Sequence, residues 1–225
     1  MSKTTQELPI DIAIPPAFSA DLTFEAIQSR FITAASTIML EYNLKRDAYC
    51  WDVTALELYI YRTGIWEDET THGFRFKTRR QLELGTWYLH RDGHLPAKRL
   101  GIDITVGSQA PELHGGILIA AIGKRGGSGR AVKAIVRGQS DEGDWRYNDR
   151  EMSLLISEIN GKSIDSGAPC LRLVRRSTRK AGPLWLGPRK LSKKVSERFR
   201  SAKLRIQHDH LPRLSGWDGL RLADC

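Results

Sequence analysis

Residues 53–61 read Val-Thr-Ala-Leu-Glu-Leu-Tyr-Ile-Tyr, a run of β-branched and aromatic residues with one carboxylate at its centre. Residues of this kind fit a pleated, half-buried strand. Side chains alternate along a strand, so Glu57, Tyr59 and Tyr61 share one face. A carboxylate on so apolar a strand is costly unless it is solvated or used. Beside two rings and partly buried, it suits proton abstraction; a Glu on the wet face of an edge strand is the alternative. Outward from this run, Thr37–Tyr42, Thr86–His90, Ile102–Val106, Gly116–Ile122 and Leu171–Val174 have the same strand character. Phe24, Ile27, Phe31 and Ala35 recur at helical spacing and predict an amphipathic helix from Leu22 to about Ser36. Arg150–Ile159 predicts a second helix, and Lys193–Arg200 a short basic one, while Gly123–Arg130 reads as a loop. Short strands with few helices predict an α+β fold: one domain with a curved antiparallel or mixed sheet and a few short helices. That domain is expected over residues 20–210. An extended, proline-containing arm (1–19) precedes it and an irregular tail (211–225) follows.

The chain has 225 residues and a formal net charge of +9. A chain of this size buries about 70% of its unfolded surface, so its core needs no disulfide or metal staple. No apolar stretch approaches the roughly 18 residues of a membrane span, and no membrane partner is expected. Charge is uneven: Arg172 to Arg205 holds thirteen Lys or Arg against one acid, Glu197, which leaves the rest of the chain at −3. A basic segment on a near-neutral body is the signature of a polyanion-binding face, nucleic acid first. A solvated basic surface is the alternative. The N-terminus has no basic segment followed by an apolar one, which predicts no secretion. Cys50, Cys170 and Cys225 are odd in number and widely spaced, as expected of an intracellular chain.

Several short motifs fail on spacing. Gly123–Arg130 lacks the phosphate-loop pattern, and Gly161-Lys-Ser163 has Ile156 where the first glycine belongs. His208-Asp-His210 has no partner ligands at metal-site spacing and reads as a surface turn.

Glu57-x-Tyr59 is followed by the acidic loop Glu67-Asp-Glu-Thr-Thr-His72. Arg79 and Arg80, Gly85-Thr-Trp-Tyr88-Leu-His90, Ile102-Asp103-Ile-Thr and Gly115–Ala121 come next, and Gly187-Pro-Arg189 through Arg205-Ile206 closes the series. In content and order these pieces resemble the alkyladenine (3-methyladenine) DNA glycosylase family, over most of residues 24–206. The resemblance implies a hydrolase of base excision repair that flips a damaged, alkylated or deaminated purine out of double-stranded DNA. Glu57 would activate the water that attacks C1′, and Tyr59, His72, His90, Tyr88 and Asp103 would hold the base. Arg79, Arg80, Arg189, Lys190, Lys193 and Lys194 would contact nucleic acid. The resemblance implies no metal or cofactor. A monomer is expected, in a prokaryotic cytoplasm or a eukaryotic nucleus.

The chain departs from the family pattern in four places, one being that the family's G-P-x-K-L segment has no equivalent before Glu151. Ala120 stands where the family has an Arg near the catalytic water, and Arg75 or Arg99 are the candidates to compensate for it. Asp103 replaces an Asn. No Tyr follows His90 to wedge into the duplex, which leaves His94 or Leu95 for that part. These departures keep open two further readings: an N-glycosidase acting on another nucleic acid or a nucleoside, and a nucleic-acid-binding module without chemistry.

Overall fold

A computed structural model describes residues 23–90, 100–138, 149–165, 171–180, 182–189, 191–211 and 220–222. The run that predicted a strand at 53–61 belongs to β2 (Tyr49–Arg62), the longest strand among the described residues. Around it lie β10 (Arg205–His208) on one side and β6 (His114–Ile122) on the other, both antiparallel. The sheet runs in the order β11 (Leu220–Leu222), β9 (Leu184–Gly187), β10, β2, β6, β5 (Ile102–Val106) and β4 (Leu84–Leu89). The first part of β2 also pairs with β1 (Tyr42–Arg46), which in turn pairs with β8 (Arg172–Arg175). Two-residue strands β3 (Trp66–Glu67) and β7 (Arg125–Gly126) pair with β2 and β6. The fold is the α+β domain expected, built on an antiparallel curved sheet.

The two faces of the sheet differ in chemistry. One carries Leu56, Leu58, Ile104, Ile117, Ile119 and Trp87, all fully buried. Helix α1 (Phe24–Glu41) packs against β1, β2 and β10, with Ile27, Phe31, Ala35 and Ile38 in the same core. Thr23 caps α1 by accepting a 3.2 Å hydrogen bond from the Ala26 amide. Helix α3 (Ser128–Arg137) packs on β6, and α4 (Asp149–Ile159) on β4 and α3. The opposite face carries Glu57, Tyr59, Asp103, Tyr88 and Arg205. It is covered by α2 (His72–Arg75) and a 3-10 turn at Arg80–Leu82.

Four expectations are corrected. Thr37–Glu41 is not a strand but the last turns of α1: Ile38, Met39 and Leu40 continue the buried stripe begun by Ile27 and Phe31, and that burial overrides local β preference. Gly123–Arg130 is only partly a loop, since it includes β7 and the start of α3. The basic helix α5 is shorter than expected, Glu197–Ser201. The region after His210 is not wholly irregular, because β11 closes the sheet edge against β9. The arm at 1–19 lies outside the described residues. Among the described residues no helix is long and apolar enough to cross a membrane.

Candidate functional site

Strand register draws one line across the polar face. Arg205 on β10 lies opposite Glu57 on β2; Glu57 faces Leu118 on β6, Leu118 faces Asp103 on β5, and Asp103 faces Tyr88 on β4. With strands about 4.8 Å apart, the backbones at Glu57 and Asp103 stand roughly 10 Å from one another. Between them only the Leu118 side chain intervenes, and the next position on that face of β6 is Gly116. Two carboxylates thus share a buried face, two strands apart.

The half around Glu57 is a layer of paired charges. Glu57 is 5% exposed. The Tyr59 hydroxyl donates to Glu57 Oε2 at 2.6 Å, and Arg205 Nη1 donates to Oε1 in an ion pair. Arg205 Nε donates to Gln207 Oε1 at 2.9 Å, which fixes the guanidinium from behind. Burial, and then the Glu57 charge, push the Tyr59 phenol well above its ordinary pKa, so Tyr59 stays a donor. One face of its ring is covered by Arg189, whose guanidinium carbon lies 4.5 Å from the ring centroid. Arg189 in turn contacts Asp68 Oδ2 at 2.6 Å and donates to the Leu58 carbonyl at 2.9 Å. Asp68 Oδ1 accepts from the Thr70 amide and hydroxyl, so the acidic loop is pinned by its middle residue while Glu67 and Glu69 stay exposed.

The half around Asp103 is aromatic and polar. Asp103 is 1% exposed; Oδ2 accepts from Gln81 Nε2 and lies 2.8 Å from His90 Nε2. Gln81 Oε1 accepts from the Gly73 amide, which ties the start of α2 to β5. Asp103 Oδ1 is buried with no hydrogen-bond partner among the described residues. His72 stacks on His90 with centroids 4.3 Å apart and planes 14° apart, and its Nδ1 lies 2.7 Å from the Tyr88 hydroxyl. Burial, then the neighbouring His90 and Arg75, hold the His72 pKa down to about 3, so its ring is neutral at physiological pH. Gly116 makes room for this network: a Cβ there would collide with Asp103 Oδ2 and Gln81 Nε2.

Every residue expected to hold the base lies on or beside this face: Tyr59, His72, His90, Tyr88 and Asp103. Tyr59 offers less ring than a stacking platform needs, because Arg189 covers it. The expected surface role of Arg189 is overturned, since it is 3% exposed and ion-paired beneath the site. Its position in a basic stretch gave no hint that Asp68 needed a partner. Lys193 and Lys194 are exposed, as is Arg79, while Arg80 is half-buried and pairs with Glu83 at 3.4 Å. Lys190, His94 and Leu95 lie outside the described residues, as does Arg99. Arg205, not Arg75, brings a guanidinium to Glu57. Gln81 was not singled out in the sequence; nothing in a lone Gln of a loop signals that it buttresses Asp103. At the turn after β10, His208, Asp209 and His210 bring their ligand atoms within 4.8 Å of one another, and His210 Nε2 lies 3.2 Å from the Gly123 carbonyl oxygen.

No family model matches the chain, and no curated protein matches it.

Proposed function

We propose that the chain is a base-excision hydrolase acting on a damaged purine in double-stranded DNA, with Glu57 as the catalytic carboxylate. The observation that carries this reading is the shared face on which Glu57 and Asp103 stand two strands apart, with His72, His90 and Tyr88 walling the Asp103 side. The flipped base lies against the histidine pair, and a base N–H donates to the unpartnered Asp103 Oδ1. Its sugar lies over Leu118 toward Glu57. There water attacks C1′ as the glycosidic bond breaks. The bonding pair leaves with the base, the new C–O bond forms, and the water proton passes to Glu57. Each Glu57 oxygen keeps a second lone pair after accepting from Tyr59 or Arg205, so the carboxylate can still take that proton. A cationic alkylated base leaves as a neutral molecule and needs no strong acid. The chain is accordingly an intracellular DNA-repair protein in this reading.

The test is release of free base from duplexes containing hypoxanthine, ethenoadenine or alkylated purines, followed by alkaline cleavage of the abasic product. Glu57→Gln should lower release at least about 100-fold, within the range of general acid–base contributions. One observation favours a second reading: Arg205 already neutralises Glu57, as it would in a purely structural ion-pair layer. A fold that binds nucleic acid without cutting would give salt-sensitive duplex binding and no abasic product.

A further inference from the structure

Residues 74–80 read Phe-Arg-Phe-Lys-Thr-Arg-Arg, four cations interleaved with two aromatics and no acid. Phe74, Arg75, Phe76, Lys77 and Arg79 are all exposed, Phe74 at 38% and Phe76 at 41%. Phe74 stacks on Tyr61, and the Arg75 guanidinium carbon lies 5.4 Å from the Phe76 ring centroid, so cation and ring stand side by side. Cations beside aromatic rings match a nucleic-acid strand, whose phosphates meet the charges while its bases stack on the rings. The segment also leads inward. Phe76 lies 4.3 Å from His72, His72 lies 4.3 Å from His90, and His90 touches Asp103. Exposure falls along this path, from Phe76 at the surface to Asp103 at 1%.

We infer that the α2 corner is a strand-gripping rim. Phe76 stacks a nucleobase at the mouth of the aromatic path, and Arg75, Lys77 and Arg79 hold the flanking phosphates. Lys77 sits in the left-handed backbone region (φ 53°), so the chain turns directly after Phe76. Charge complementarity favours a polynucleotide, because Arg75, Lys77 and Arg79 are exposed with no acid among them. This inference rests on the proposed base-excision reading for its inward path, but its test is independent of chemistry.

The experiment is fluorescence anisotropy of the full chain with labelled single-stranded and duplex oligonucleotides across a salt series. The combined variant Arg75→Gln, Lys77→Asn and Arg79→Gln should flatten the slope of log affinity against log salt by about 2.7 on duplex, from roughly 0.9 per phosphate contact. Asn suits the left-handed position, so the backbone should be kept. Phe76→Ala should weaken single-strand binding about tenfold, as expected for loss of one stacked base, and Phe76→Tyr should restore it. Unchanged affinity and slope in the triple variant, or Phe76→Ala binding like wild type, overturns the rim. Base release is scored separately. Rim variants that lose binding while the wild type cuts nothing leave the rim standing and sink the excision reading. Wild-type cutting with unaffected binding by the rim variants does the reverse.

Discussion

Arg205 and Glu57 show how much one buried pair constrains this protein. Each is less than a tenth exposed, and each depends on the other for charge compensation. Removing one partner of such a pair leaves an uncompensated charge in a poorly solvated place, at a cost of about 3–5 kcal/mol. Arg205→Met should therefore destabilise the fold by that amount in urea titrations, whereas the double variant Arg205→Met/Glu57→Leu should recover most of the loss. His208 makes a second residue-scale prediction. Burial, then nearby Lys180 and His210, hold its folded pKa to about 4, against an ordinary value of 6.5. As pH falls below 6.5 the unfolded imidazole takes a proton that the folded one refuses until about pH 4. The unfolded state is therefore favoured progressively across that window. His208→Gln should lose less thermal stability than wild type between pH 7 and pH 4, read by melting temperature.

Among the elements, β2 was legible because its side chains alternate between a greasy and a functional set. Leu56, Leu58 and Ile60 face α1, while Glu57 and Tyr59 face the polar side. β5 was legible for the same reason, and its bounds match the expected Ile102–Val106. α3 was hidden by the glycines that precede it. Its signal was present in Ala131, Ala134 and Ile135, with Gly138 at φ 55° closing the helix. Arg46 then caps that end, donating to the carbonyls of Ile135 and Val136. β9, β10 and β11 are not evident in the sequence, and their pairing is set by tertiary contacts. Of the site, Glu57, His72, His90, Tyr88 and Asp103 could be singled out, but Gln81 and the inward turn of Arg189 could not, since only the fold reveals what a loop residue faces. On β6, Gly116 lies under Asp103 with no space for a side chain. Gly116→Ala should force Asp103 and Gln81 aside and cost about 1–3 kcal/mol, like other overpacking changes. A denaturation midpoint measures the loss, and the His90 ring resonances should shift with it.

Across the whole molecule, the positive charge that first pointed to a polyanion is not one face. Of the basic residues from Arg172 to Arg205, Arg189 and Arg205 turn inward to Asp68 and Glu57, Arg176 and Lys180 hold Asp52, Arg175 holds Glu41, and Arg200 pairs with Glu197. Arg179, Lys193, Lys194 and Arg198 are exposed, and Arg198 lies over the Trp66 ring. Two cations of the stretch thus neutralise buried acids of the polar face, while others pair with the partly exposed Asp52, Glu41 and Glu197. Asp103 is held by Gln81 and His90, while Arg205 holds Glu57, which the proposal makes the catalytic carboxylate. The most direct test of that claim is free-base release from a lesion-containing duplex by the wild type and by Glu57→Gln, with melting temperatures confirming that both are folded. Release by the wild type, and its loss in a folded Glu57→Gln, is the predicted result; equal release by both, or none from any lesion by the wild type, would contradict it.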